Sequence, residues 1–442
     1  MRSTALARVW AVVFVLGVAR GASAQSSTLV GQMTDFFSQA IVLARTPSGS
    51  GIAGHTAVFA ESDHVEETER LITQVSQQIG SQVSNFPLGS SAGGFTFAYD
   101  PSTGTFSRTS ETFGPAFAER AMTLGRHRVS FGMNYLHTGY SSLDGHSLSD
   151  GDIVFNLLHQ DLTPPSYVEG DVVQAKLGLD LTTNTTAFQF AFGATNRIDL
   201  GVAVPIVHID SKLTYHATIL DFATHTVSPQ THIFSNGGKT ADFSTAGEAT
   251  GLGDIVFRGK YRLQDVGRSN LAVGIDLRLP TGDESNMLGA GYAQAKAYLV
   301  LSGHAGDKLA PHANVGYTFG RSGNAALIPS DQLDYNGGVE VLVTPRVTVV
   351  GDLLGRRFTH ANRISDTLTP HTFQQGATAP IETTQLKSIA MADSSLWSTL
   401  ATTGVKVNVW GNWLLSAQVL LPVGSGGLRI KPTPVIGFDY AF

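Results

Sequence analysis

Four histidines, His208, His216, His225 and His232, fall in one stretch beside Asp210 and Asp221. Imidazole and carboxylate groups that converge in threes or fours hold zinc. The spacings here match no ligand signature, so a solvated polar loop is the expectation, with no metal and no cofactor. His137 and His208 stand in phase with apolar residues facing the same way. A lipid-facing Ser–His hydrolase would want such a histidine beside a nucleophile. Ser141 is in phase, but no acid that would orient the base is evident. Asp-Gly-Asp at 150–152 and Gly-Asp-Glu at 282–284 cluster carboxylates without the loop-wide spacing of a calcium site; they read as turns. Gly-Leu-Gly-Asp at 251–254 precedes a strand, not the helix a nucleotide loop requires. No catalytic residue emerges, and the chain reads as a non-enzyme.

The charges that remain lie inside strands. In Asp276-Leu277-Arg278-Leu279-Pro280-Thr281-Gly282-Asp283, charged and apolar residues alternate with the period of two that gives a strand two unlike faces. If Leu277 and Leu279 face lipid, Asp276 and Arg278 face a lumen. The reverse would set an Arg against lipid at about 2–4 kcal/mol. A slip of one residue flips every side chain, so the register is strongly specified. The same parity turns Arg258, Lys260, Arg262, Lys296, Asp334, Glu340, Asp352 and Lys406 inward. Both signs are present, so the lumen is polar without being a single-sign filter. Tyr261, Trp413, Tyr440 and Phe442 fall outward at one end, and Tyr317, Phe319 and Tyr335 outward toward the other. Two such aromatic girdles are what a bilayer's interfaces select.

Alternation of this kind recurs at 127–139, 172–192, 197–209, 254–264, 271–279, 291–302, 309–319, 332–343, 346–358, 394–408, 412–421 and 432–442. Short connections near 194–197, 264–270, 305–308, 344–346 and 411–412 take turns with long ones over roughly 140–170, 210–253, 281–290, 320–331, 359–393 and 422–431. That asymmetry is the mark of an outer-membrane barrel whose short turns face the periplasm. The twelfth strand ends at Phe442 on the short-turn side, where an even-stranded barrel must leave its C-terminus. The expected fold is therefore all-β: an antiparallel transmembrane β-barrel of about twelve strands, or fourteen if the alternation of Phe95, Phe97 and Tyr99 adds a hairpin.

Other features agree. Arg2 and Arg8 precede an apolar run and an Ala22-Ser23-Ala24 site, which reads as a signal peptide over 1–24. Its loss removes three arginines and takes the formal net charge from −6 to −9. An acidic chain without a basic block is a poor partner for nucleic acid. Beyond the leader no run of 18 apolar residues exists, so only a closed barrel would span a membrane. With no cysteine in the chain, disulfides are excluded.

Residues 25–90 differ in period. Met33, Phe36, Phe37 and Ile41 line one face of a helix, and Ile72, Val75, Ile79 and Val83 repeat this more weakly. This is a partly helical N-terminal element placed to plug the lumen. Residues 91–126 are a linking segment, entered through a Gly-rich stretch at 88–95, and 127–442 are the barrel.

The segments 251–263, 271–300 and 311–319, most sharply Gly253-Asp254 through Gly282-Asp283, resemble the outer-membrane proteins of the MetA-pathway of phenol degradation family, allied to fatty-acid and aromatic-hydrocarbon channel barrels. The resemblance implies a channel for passive passage of small hydrophobic or aromatic molecules and carries no catalytic residues. The partners expected are outer-membrane lipid, a small apolar solute, and the barrel-assembly machinery that reads a terminal aromatic strand such as Ile436, Phe438, Tyr440, Phe442. A structural or adhesive barrel acting through its long loops is the alternative, and a lipid-facing hydrolase the second.

Overall fold

The computed structural model describes residues 28–33, 63–90, 94–100, 102, 105–158, 170–222, 233–266, 269–322, 329–375 and 378–442. Twelve strands form the wall: β1 (Val129–Leu143), β2 (Val172–Gly193), β3 (Ile198–Leu220), β4 (Val256–Val266), β5 (Ser269–Arg278), β6 (Ala293–Gly303), β7 (Leu309–Arg321), β8 (Gln332–Thr344), β9 (Val347–Gln374), β10 (Ile381–Trp410), β11 (Trp413–Val423) and β12 (Thr433–Ala441). Each pairs antiparallel with the next, and β12 returns to β1 through Tyr440↔Phe131 and Ile436↔Tyr135. Closure leaves no edge in the wall, which is what a sheet crossing hydrocarbon requires.

Phase follows the sequence pattern. Ile275 and Leu277 are half exposed while Asp276 between them faces inward. Phe190, Leu200, Phe257, Leu299, Val315, Leu353 and Leu415 continue that outward apolar band around the ring. Trp413, Phe438, Tyr440 and Phe442 stack in series at the short-turn end. No helix among the described residues is long and apolar enough to cross a membrane.

The structure corrects two expectations about what lies outside the wall. The hairpin Phe97–Asp100 with Thr105–Arg108 exists, but it is a separate two-stranded sheet, so the barrel has twelve strands and not fourteen. Several long connections are β-structure rather than loop. β9 and β10 stay paired past a register irregularity at Phe358 as far as Gln374↔Ile381, and Thr240–Leu252 pairs with the outer part of β3. Strand Ile153–Leu158 lies on β2. Thr240–Leu252 carries only a sparse apolar side, Ala241, Phe243 and Ala249, which packs on the buried cluster, and its residues alternate between exposed and half-exposed.

Residues 29–33 are helical, and helix α1 runs Asp63–Ser84. Ile72, Val75, Ile79 and Val83 recur at three- and four-residue spacing and are buried. They share one apolar cluster with Leu136, Phe155, Tyr215, Leu354, Ile389 and Leu420, which come from opposite sides of the ring, so α1 lies within it.

Candidate functional site

The lumen is occupied from one end to the other by the chain that precedes β1. At the long-loop end, α1 presses its apolar stripe on the wall and turns Gln74, Gln77, Gln78 and Gln82 toward a cavity of about 230 Å³ that also meets Tyr292, Phe358 and His360. Asp144, held at positive φ in a turn, gathers four partners there: its carboxylate accepts from Gln78 Nε2 (2.7 Å), Arg363 Nε (2.9 Å), Ile364 N (3.0 Å) and Gly427 N (3.0 Å). One acceptor thereby ties α1 to three outer segments. The last carbonyls of a helix have no partner within it. Here Arg278 Nη1 donates to Ser84 O (2.6 Å), Arg356 donates to Asn85 O, and Arg258 Nη1 donates to Gly89 O (2.8 Å). Cations at a helix C-terminus are favourable for the same reason.

Residues 88–95, expected to be a flexible link, are instead packed inside where described: Leu88 and Ser90 are buried, and Gly89 has φ +84, with Asn134 and Gln189 so close that no Cβ fits.

Toward the short turns, residues 113–124 cross the barrel as irregular backbone. An irregular segment buried in protein must find a partner for each N–H. Side chains of the wall supply them. Glu340 accepts from Gly114 N (2.9 Å), and Asp352 Oδ2 accepts from Ala116 N and Phe117 N (both 3.0 Å) and Ala118 N (3.4 Å). Asn314 accepts from Glu119 N (2.7 Å), Ser302 from Ala121 N (2.8 Å), and Asp199 from Leu124 N (3.0 Å). Lysines take the carbonyls: Lys406 Nζ donates to Pro115 O (2.7 Å) and Lys260 Nζ to Arg120 O (3.1 Å). His312 Nε2 lies 2.8 Å from Asp352 Oδ1 and steadies it.

Of the residues expected to line the lumen, Lys260, Asp334, Glu340, Asp352 and Lys406 are buried, and Arg258, Arg278, Asp276 and Lys296 point inward onto residues 85–119. Arg262, half-buried on β4, pairs with inward Ala272. The watery lumen of the sequence reading is replaced by protein, because buried charges need partners and the N-terminal chain provides them. Met33 is buried at the long-loop end, where Tyr215 Oη donates to its carbonyl (3.4 Å); Phe36, Phe37 and Ile41 lie outside the described residues. Tyr261, Tyr335, Trp413 and Phe442 are exposed outward, Tyr317 stacks on Phe319, and Tyr440 sits between Trp413 and Phe442. Sequence reasoning missed Asp144, Asp199, Ser302, His312 and Asn314. All but Asp144 sit at inward positions of wall strands, the signal that would have found them.

The remaining candidates that lie among the described residues make local contacts. His137 Nδ1 meets Asn184 Oδ1 (2.8 Å), while Ser141 Oγ donates to Arg429 O (3.3 Å). His216 pairs with Asp242 (2.7 Å), eight residues along β3 from His208; His225 and His232 lie outside the described residues. His208, Asp210 and Glu248 bring one donor atom each within 4.8 Å on an exposed face of the outer extension.

The Gly253-Asp254 and Gly282-Asp283 motifs form a clasp at the outer rim. Asp254 accepts from Gly282 N (3.1 Å) and Ala290 N (2.9 Å), and Thr281 Oγ1 donates to Gly253 O (2.8 Å). Burial raises the Asp254 carboxyl above its ordinary range against the pull of the Ala290 N–H. Asp283 starts a single 3-10 turn; burial opposes its ionisation, but hydrogen bonds from Ser285 and Asn286 outweigh burial and hold it below the usual carboxylate range.

These features define a closed antiparallel barrel of the outer-membrane type, apolar outside and filled by its own N-terminal chain. Residues 164–369 match the model of the family described as "Putative MetA-pathway of phenol degradation", and over those residues the chain has that family's sequence pattern. No curated relative matches the chain. Among solved structures it is similar to an outer membrane channel from Pseudomonas putida F1, at 12% identity over 73% of this chain and 98% of that one, with TM-score 0.44. It is similar also to a FadL homologue from Pseudomonas aeruginosa (12% identity, 80% and 97% covered, TM-score 0.31) and to the Ralstonia pickettii toluene transporter TbuX (12%, 72% and 90%, TM-score 0.27).

Proposed function

We propose that this chain is an outer-membrane channel for passive passage of small hydrophobic or aromatic molecules, held shut by the chain that precedes β1. The observation that carries the reading is the nature of the seal. Residues 113–124 are bound to the wall by hydrogen bonds between their backbone and polar or charged side chains, whose oxygens accept from N–H groups and whose lysines donate to carbonyls. A barrel built only as a scaffold would be at least as stable with an apolar core, since replacing buried ionic contacts by packed hydrocarbon is often neutral or stabilising. Polar latches exchange readily for water, so a seal made of them can be released. Cavities of about 110 and 230 Å³ beside α1 and residues 85–89 mark the side along which the filling is least complete.

Liposome swelling in a polar aromatic solute such as benzamide tests this. Vesicles carrying the chain should swell faster than protein-free vesicles. Equal rates for both, with the barrel folded, would favour the reading in which the long outer hairpins serve adhesion.

A further inference from the structure

The cavity of about 110 Å³ lies midway along the lumen, between residues 85–89 and the inner face of β4 to β9. Four cations border it, Arg258, Arg278, Lys296 and Arg356, against three carboxylates, Glu119, Asp276 and Asp334. The carboxylates are all engaged. Arg258 takes Glu119 and Asp276 (both 3.6 Å), while Lys296 (3.4 Å) and Arg356 (3.5 Å) share Asp334. Among the described residues no carboxylate lies within ion-pair reach of Arg278, whose Nη1 holds only the carbonyl of Ser84. Beside it in the sheet stands Gln294, its register partner on β6, and Gln332 follows on β8. Both amides are more than nine-tenths buried and both border the cavity; Gln332 Nε2 has no hydrogen-bond partner, and Gln294 reaches only toward the Tyr292 hydroxyl.

A buried donor without an acceptor is costly, and one beside a guanidinium that has no carboxylate within ion-pair distance asks for an anion. Pro87, Leu88, Phe117 and Leu354 supply an apolar part of its lining. Tyr298 lies flat across the wall at Gly274, where a Cβ would stand 2.2 Å from its ring, and so leaves the space open. The volume is of the same order as the roughly 150 Å³ cavity that takes benzene, and far below that of a lipid.

We infer that this cavity is a binding site for a small carboxylate carried on a single ring or short chain, with Arg278, Gln294 and Gln332 as its anion-recognising groups. The inference rests on the channel reading and narrows its solute to one with an apolar body and an anionic head.

Titration calorimetry of the full chain in detergent, with benzoate and with benzyl alcohol as its uncharged counterpart, tests it. Benzoate should bind at least about tenfold tighter, the scale of one charge-assisted hydrogen bond. Joint Gln294→Leu and Gln332→Leu substitution should weaken benzoate about tenfold or more and leave benzyl alcohol unchanged. Gln332→Glu, nearly isosteric, should abolish benzoate binding in a barrel that still migrates as folded on unheated gels. Equal affinity for the two probes, or benzoate affinity unchanged in the folded variants, overturns the site. Vesicles that admit benzamide while the chain binds no benzoate would overturn the site and leave the channel. Benzoate binding with no solute flux would support the site and sink the channel.

Discussion

The two halves of the lumen are filled by different balances of hydrocarbon and hydrogen bonding. Toward the long loops, α1 is held by hydrocarbon: Ile72, Val75, Ile79 and Val83 sit in a cluster drawn from across the ring, with Asp144 and two arginines fixing its position. Toward the short turns, residues 113–124 also pack hydrocarbon, with Ala116, Phe117 and Ala118 in that same cluster, but their backbone is fixed by Asp352, Glu340, Asp199, Asn314, Lys406 and Lys260. Apolar contact is non-directional and scales with area, so α1 resists displacement without specifying a path. Hydrogen bonds from wall to backbone are directional and individually replaceable by water. On the proposed reading, most of the filling's stability resides at the outer half, and control of opening at the inner half.

That division can be broken at the outer half first. Ile79→Asp places an unpaired charge in the apolar cluster, a cost of several kcal/mol, and should free α1 for proteolysis in detergent while the barrel stays heat-modifiable. A protected helix in this variant would mean that the apolar stripe does not hold it. Ile79→Ala sharpens the same point. A loss of about 2–4 kcal/mol should speed hydrogen exchange in α1 by roughly 30- to 1,000-fold and leave residues 113–124 as protected as before. Joint acceleration of both segments would show one cooperative plug instead of two. Arg356→Met removes the donor to Asn85 O, and the freed carbonyl costs about 1–3 kcal/mol. Exchange should then rise only in the last turn of α1. The smallest effect belongs to the rim. Asp283 is held below its ordinary pKa, so what it contributes is present above the usual carboxylate range and is lost as pH falls through the lowered value. Asp283→Asn should therefore narrow the difference in thermal mobility shift between neutral and strongly acidic buffer, with no change in conductance.

The wall was legible because lipid and the N-terminal chain impose unlike demands on alternate residues. Leu271 to Leu279 gives phase, register and rim in one stretch, and the closing parity of twelve strands follows from the loop lengths. In Thr240–Leu252 and the outer part of β9 and β10 the inward apolar residues are sparse, so the alternation is weak and strand was read as loop. The inner latch was illegible from residues 113–124 themselves, since what they offer is backbone N–H, which every residue but proline carries. Its trace lies on the wall. Glu340, Asp352 and Lys406 meet the backbone of residues 113–116, whereas the sequence pattern gave them a face of the wall but no partner to seek. α1 was found by its spacing. Arg278 at its end was read as a lumen charge, and Arg356 was not singled out, because nothing local marks a residue as a cap for a helix so far away in the chain.

Single-channel recording in planar bilayers of the full chain and its Asp352→Ala variant addresses the inner seal most directly. Asp352 receives the N–H groups of Ala116, Phe117 and Ala118, and its loss leaves all three unpaired in a dry site. The variant should conduct several-fold more than the parent, with open events of longer duration, while its unheated gel mobility is unchanged. Conductance equal to the parent's in a folded variant would contradict the claim that residues 113–124 close the lumen through polar latches.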